Sequence, residues 1–267
     1  MRLQWPHLVA FILLVCAAPT PVVAGAVDAL NILAFDTSSQ WCSVVLQAGE
    51  RAYCRETLAG QRHSQLVLPM IHDVLSEAGM RLLQLDAIAF GAGPGSFTGV
   101  RIACGVAQGL AFGAQVAVAP VSTLLALAER SGKQKVIACL DARMGQVYIA
   151  AYERVGAGWR TLAEPQLCTS EAAPAVEGGN WIGVGSGFGE LRAALTLRYG
   201  TQLADTEPDL YAHAREIGQL GAAMVHAGTV VAAECAQPVY LRDRIALTIE
   251  ERRALKAQRD SAATPAA

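Results

Sequence analysis

The chain has 267 residues, enough for one large domain or two compact ones, and its 53% hydrophobic and 16% charged residues supply ample core. Lys and Arg number 21 against 23 Asp and Glu, a net charge of −2 that excludes a broad electrostatic footprint for nucleic acid, so any RNA contact is local or made by a partner. Seven cysteines, odd in number and without a Cys-x-x-Cys pair, disfavour a zinc site and a disulfide framework, and fit buried thiols in a reducing compartment.

Arg2, the apolar run over residues 8–18 and the small residues Ala24-Gly25-Ala26 have the three regions of a secretory signal peptide. The run is short for a membrane span, and the thiols argue against export. Residues 1–30 therefore read as a signal-like or mis-assigned extension. Asn31-Ile32-Leu33-Ala34-Phe35 reads as a buried strand ending in Asp36-Thr37-Ser38-Ser39. Strands over residues 41–46 and 52–56 follow after tight turns, which makes an antiparallel meander. A helix is expected over residues 64–78, with Leu66, Met70, Val74 and Ala78 on one stripe and Pro69 kinking it or delaying its start. A strand over 85–90 leads into Gly91-Ala92-Gly93-Pro94-Gly95-Ser96-Phe97-Thr98-Gly99-Val100-Arg101, and a helix rich in small residues follows. A strand over 115–119 and a helix over 122–130, capped by Ser122, complete the first half.

The second half repeats the pattern. Residues 135–140 and 146–152 form a hairpin around Asp141-Ala142-Arg143-Met144-Gly145, then comes a strand over 181–184 and helices near 190–197 and 210–227. A βββαβα unit occurring twice, the second copy reduced, is the plan of the actin, sugar-kinase and heat-shock ATPase superfamily, an α/β fold of ribonuclease H-like type. The expected division is an N-terminal subdomain over 31–131, a reduced one over 132–245 and a charged tail over 246–267. The tail from Arg242 to Arg259 mixes both signs and reads as a solvated end.

The glycine-dense turn has two readings: a cradle for an anion at a helix N-terminus, or a close fit of helix on sheet. It lacks the Gly-Lys-Ser/Thr ending of a Walker A loop, and Thr98 stands where the dinucleotide fingerprint needs its third glycine. The candidate nucleotide or anion set is Asp36, Thr37, Ser38, Gly93, Gly95, Ser96 and Arg101, with Ser96 or Thr98 as the helix cap. The plain alternative for Asp36 is an Asx-type turn that closes the strand. Gly183-Val184-Gly185-Ser186-Gly187 is either the remnant of an adenosine-side loop or an ordinary strand-to-helix turn. Gly105, Gly109 and Gly113 recur every four residues, at a cost of roughly 1 kcal/mol each relative to Ala. The pattern suggests close backbone approach by the chain's own sheet or by another subunit's helix.

Several motifs together resemble one family. They are Ile32 to Ser39, His63-Ser64, Leu68-Pro69, the run Gly93 to Ile102, Asp141-Ala142-Arg143-Met144-Gly145-Gln146-Val147-Tyr148 and Pro238-Val239-Tyr240-Leu241-Arg242-Asp243. In this order, over residues 31–253, they are similar to the TsaB (YeaZ) family, which is needed to form N6-threonylcarbamoyladenosine in tRNA. The resemblance implies a non-catalytic subunit paired with the metal-carrying paralogue TsaD. TsaD moves the threonylcarbamoyl group from threonylcarbamoyl-AMP to the adenosine next to the anticodon of ANN-decoding tRNAs. It also implies a small ATPase of TsaE type, tRNA reached through the complex, a homodimer when the chain is alone, a cytoplasmic setting without a membrane, and ATP or ADP at the TsaD junction. The His-x-x-x-His pair that holds metal in TsaD falls here on Thr123 and Leu127, neither of which binds a transition metal as His does. The expected TsaD contact is His63, Leu66, Met70, Val74, Gly105, Gly109 and Gly113, with Asp141 and Arg143 at the junction. The competing readings are an autonomous small-molecule kinase or metallohydrolase of the same fold, and an exported envelope protein.

Overall fold

The computed structural model describes residues 30–241. The signal-like stretch over residues 1–29, Asp243 and the charged tail lie outside the described residues. Strands β1 (Asn31–Asp36), β2 (Trp41–Ala48) and β3 (Arg51–Leu58) form the antiparallel meander. Helix α1 (His63–Ala78) then leads to β4 (Ala87–Gly93), α2 (Phe97–Ala114), β5 (Ala117–Ser122) and α3 (Thr123–Ser131). β4 pairs in parallel with β1, and β5 with β4, giving the order β3-β2-β1-β4-β5.

The second half has β6 (Lys135–Asp141), β7 (Gln146–Val155), β8 (Gly158–Thr169) and β9 (Trp181–Val184). Helices α4 (Gly187–Glu190) and α5 (Arg192–Tyr199), then β10 (Leu203–Glu207) and α6 (Ala214–Ala227), follow. Its sheet runs β10-β9-β6-β7-β8. In both sheets the third, second, first, fourth and fifth strands therefore lie in that spatial order. The repeat is complete in the sheet, and the reduction lies elsewhere: residues 170–180, between the third and fourth strands, contain no helix. Together the two mixed sheets and their helices make an actin-like, ribonuclease H-like α/β fold.

β1 is central and buried on both faces, so it carries a continuous apolar run instead of an alternating one. Leu33 and Phe35 face a core with Val67, Ile71, Val74, Ala103 and Ala107, where α1 and α2 cover the sheet. Ile32 and Ala34 face the opposite core with Leu124, Leu127, Val136, Ala138 and Ile217, so α3 and α6 lie between the two sheets. Although α6 comes from the second half of the chain, it packs on the first sheet. Gly218 meets Ala34, and Gly221 meets Ala89 so closely that a Cβ there would stand 2.6 Å from the Ala89 Cβ. After α6, Val231 exchanges two backbone hydrogen bonds of 2.8 Å with Val118 of β5, so the described chain ends on the first sheet.

Several expectations shift. α1 runs through Pro69 as one helix, because Pro69 and Gln65, whose carbonyl loses its N–H partner, both lie on the exposed side. Of the expected stripe Met70 and Val74 are buried, together with His63, Val67 and Ile71, while Leu66 and Ala78 are half-buried. β4 extends through Gly91, Ala92 and Gly93, all buried, so the first part of the glycine run is strand. Replacing Gly221 by Val overfills the α6–β4 contact and should destabilise the chain by about 1–3 kcal/mol, read as a lower urea midpoint. Ala223→Val on the exposed side of α6 should change it far less.

Candidate functional site

The glycine turn closes directly onto the end of β1. The Ser96 amide donates to the Ser38 carbonyl at 2.7 Å, and the Thr37 hydroxyl donates to the Gly99 carbonyl at 2.7 Å. Gly95 and Gly99 are required by this fit. A Cβ at Gly95 would come 2.7 Å from the Ser38 carbonyl oxygen, and one at Gly99 would overlap the Thr37 carbonyl. Ser96 is the cap of α2, accepting from the Gly99 amide at 3.3 Å. The Gly93 amide donates to Thr123 Oγ1 at 3.1 Å, which ties the loop to the first residue of α3. The Gly93–Pro94 bond is cis.

These bonds engage much of the expected anion set within the fold. Asp36, Thr37 and Ser38 are buried, and the Thr37 and Ser38 hydroxyls bond within the fold. Asp36 Oδ1 accepts from the Ser38 amide at 3.0 Å and from the Ser38 hydroxyl at 2.9 Å, an Asx turn. Its Oδ2 is buried without a hydrogen-bond partner among the described residues, facing Gly91, where a Cβ would overlap it. Burial pushes the Asp36 carboxyl up to about 6, with the two Ser38 hydrogen bonds pulling the other way. Gly93 is buried too, and Gly95 covers Ser38. Of the expected anion set, only Ser96 and Arg101 are exposed.

The corresponding loops of the second half are also filled. In the 183–187 run, Gly183 is packed under the Phe188 ring, and Gly187 sits on Cys139 Sγ. The turn is a tight strand-to-helix connection with its glycines used for packing. The Asp141 amide donates to Ser186 Oγ at 3.1 Å and joins this turn to the β6–β7 hairpin. There Asp141 accepts from the Arg143 amide at 2.9 Å and pairs with the Arg143 guanidinium at 3.1 Å. Arg143 and Met144 both have left-handed backbone and stand out at the hairpin tip, Arg143 with 83% of its side chain exposed.

What the first half does offer is a surface. Ala103, Ala107 and Ala111 turn one face of α2 to the sheet, while Gly105, Gly109 and Gly113 lie on the other, with no described atom within 4 Å of a Cβ placed there. Phe112, beside Gly113, is 78% exposed. On α1, packed beside α2, Leu66 is half-buried and Leu68 is 49% exposed. His63, Met70 and Val74, expected at a partner contact, are instead buried; the His63 ring contacts the Trp41 carbonyl at 3.2 Å, and the other two face the sheet because they fall on the inward stripe of α1.

The start of α2 carries a cluster the sequence reading missed. The Arg101 guanidinium lies 3.6 Å from the Phe97 ring centre and 5.4 Å from that of Tyr240, and its Nε donates to the Tyr240 hydroxyl at 2.7 Å. The segment around Tyr240 is held by the Val239 amide on the Ala92 carbonyl at 2.7 Å and by Gln108 Nε2 on the Ala236 carbonyl at 2.8 Å. Phe97 and Arg101 at i and i+4 were the available signal; the contact with Tyr240, 139 residues away, was not. Among the described residues no group of three or more His, Cys, Asp or Glu is placed to hold a metal. Leu127 is fully buried in the core between the sheets.

Against known proteins, the family model for TsaD, tRNA N6-adenosine threonylcarbamoyltransferase, matches residues 56–180. The tRNA threonylcarbamoyladenosine biosynthesis protein TsaB of Escherichia coli K12 is 38% identical over 227 residues, covering 81% of this chain and 96% of that protein. TsaB of Haemophilus influenzae is 42% identical over 173 residues, covering 60% of this chain and 73% of that protein. The solved structure of YeaZ from Pseudomonas aeruginosa is similar with a TM-score of 0.74 and 39% identity, over 79% of this chain and all of that one. A second Pseudomonas aeruginosa structure, of an uncharacterized protein with similarity to peptidase YEAZ, gives 0.75 and 39%, over 80% of this chain and 100% of that one.

The buried Asp36 carboxyl sets a pH dependence. Its folded value, about 6, lies above the ordinary 3.8, so the cost of burying the charge is fully present above pH 6 and is relieved as pH falls toward 3.8. That cost is about 3 kcal/mol. Asp36→Asn removes it and keeps the Oδ1 acceptor, but leaves amide hydrogens unpaired at about 2 kcal/mol. The variant should be more stable than the parent by roughly 1 kcal/mol at pH 7.5, and the difference should reverse as pH falls below 5, measured by urea unfolding.

Proposed function

This chain belongs to the TsaB (YeaZ) family of tRNA threonylcarbamoyladenosine biosynthesis proteins, and we propose that it works there as the non-catalytic partner of a TsaD-type transferase. Its place is in tRNA threonylcarbamoyladenosine synthesis. The observation that carries the pairing is the outward face of α2. Three glycines a turn apart lie open to solvent, each at a cost of roughly 1 kcal/mol in helix propensity, with an exposed phenylalanine beside them. A helix that accepts this cost without using the space inside its own fold is suited to close approach by another subunit's helix. The face then comprises Arg101, Gly105, Gly109, Phe112 and Gly113 from α2 and Leu66 and Leu68 from α1. His63, Met70 and Val74 support it from below.

In the same reading the Arg143 tip of the β6–β7 hairpin reaches the junction. A TsaE-type ATPase joins the pair, tRNA is met through the complex, and ATP or ADP sits at the TsaD junction. Without TsaD the open face pairs two copies of this chain. The setting is cytoplasmic. A self-sufficient kinase draws no support from the first-half loops, where Thr37 bonds the Gly99 carbonyl, Ser38 bonds Asp36 and the Ser96 amide bonds the Ser38 carbonyl. A metal-dependent transferase draws none from Thr123 and Leu127, one bonded to the Gly93 amide and the other buried in the core.

Gly109→Leu tests the pairing. The site is open, so the variant should unfold at the same temperature or slightly higher, leucine being the better helix former by about 0.8 kcal/mol. Co-elution with the TsaD-type partner should be lost. Intact co-elution would refute the interface.

A further inference from the structure

The approach to α6 holds a titratable cluster that the pairing role leaves unused. His213 is buried and is the cap of α6, its Nδ1 accepting the Arg215 amide at 3.0 Å. With Nδ1 an acceptor, the neutral ring carries its proton on Nε2. That N–H faces Glu56 Oε1 at 3.7 Å and Cys54 Sγ at 3.8 Å. This tautomer rules out a Cys54–His213 nucleophile pair, because a base toward the thiol needs a bare nitrogen there. Burial also holds the Cys54 thiol above its ordinary value.

On the other side of the ring, Glu216 Oε2 lies 3.7 Å from Nδ1 and is buried without a hydrogen-bond partner among the described residues. The groups facing the ring and these carboxylates come from five segments. β3 supplies Cys54 and Glu56, and α3 supplies Glu129 and Arg130. Tyr211 donates its hydroxyl to Glu56, and α6 supplies Arg215 and Glu216. From β2 comes the uncharged Ser43, whose hydroxyl oxygen accepts the Ala214 amide at 2.9 Å. Arg130 lies 4.1 Å from the Tyr211 ring centre, and Trp41 stacks on the same ring at 4.8 Å.

Two hydrogen-bond arrangements are therefore open to the ring, and they exclude each other. As a neutral acceptor it caps the helix. As a cation both nitrogens donate, so Nδ1 no longer accepts the Arg215 amide, while a carboxylate stands at 3.7 Å on either side. We propose that His213 is a proton-operated helix cap: neutral, it holds the first turn of α6, and on taking one proton from solvent it releases the Arg215 amide and bridges Glu56 and Glu216. Ile217, one turn on, is packed between the two sheets, so releasing this turn loosens the seam between the halves.

Burial sets the direction, holding His213 below its ordinary 6.5 despite the Glu56 carboxylate. The unfolded ring therefore takes its proton first. The stability this group contributes is fully present above pH 6.5 and is lost as pH falls below it. Glu216 runs the opposite way. Burial raises it, so its cost is present at neutral pH and is relieved in acid.

The test uses the purified chain labelled with 15N-histidine. Long-range proton–nitrogen correlation from pH 8 to pH 5 reads the tautomer, and amide exchange reads the protection of Arg215 in parallel. At pH 8 the His213 Nδ1 should be bare and Nε2 protonated. The ring should titrate below the ordinary 6.5, and Arg215 protection should fall about ten-fold as it does so. His213→Asn keeps a capping oxygen but cannot titrate, so its Arg215 amide should stay protected across the range. A proton on Nδ1 at pH 8 would overturn the proposal. So would a ring still neutral at pH 5, unchanged Arg215 protection through the titration, or an equal loss of protection in the Asn variant.

Discussion

The rest of the molecule depends on the seating of the glycine turn on the end of β1. The Thr37 hydroxyl on the Gly99 carbonyl and the Ser96 amide on the Ser38 carbonyl fix where α2 begins. Because Gly95 and Gly99 lack side chains, backbone meets backbone there. With its first turn fixed, α2 turns the alanines at 103, 107 and 111 to the sheet and the glycines at 105, 109 and 113 to solvent. One contact thus seals the strand end and presents an open helix face.

Burial follows from the same closure. Asp36 keeps its turn through Oδ1, but its second oxygen is sealed against Gly91, so a charge is held where water does not reach it. The cost is about 3 kcal/mol at neutral pH, sizeable against a net folding stability of about 5–15 kcal/mol. The α6 cap is a second place where a carboxylate oxygen, Glu216 Oε2, is buried without a hydrogen-bond partner among the described residues. Both lie at segments that join elements, β1 to α2 in one case and the two sheets in the other.

The strands with apolar runs were legible in the sequence. β1, β2 and β4 are central, and their burial forces the pattern. β8 and β10 were not, because both are edge strands: β8 is mostly exposed and includes Pro165, and β10 reads Leu-Ala-Asp-Thr-Glu. Met70 and Val74 were read on the inward stripe of α1, but Leu66 was taken where Val67 is buried, since both are apolar and only packing chooses between them. The cap residues Ser96 and Ser122 and the open glycines were visible as types at a spacing. The Asx turn at Asp36 was legible as well, but its covering by the glycine turn was not, because that depends on contacts some 60 residues apart. The clasp of Arg101 by Tyr240 and the His213 cluster with Glu56 were hidden for the same reason.

On the proposed function, this chain contributes a surface where its paralogue contributes chemistry. The strand-end loops bond to one another, and the helices beside them are left open to a partner. The most direct measurement is reconstitution of threonylcarbamoyl transfer to an ANN-decoding tRNA by the TsaD-type partner and its ATPase, with and without this chain. Transfer should fall to background without the chain and recover on adding it. Equal transfer in its absence would contradict the account.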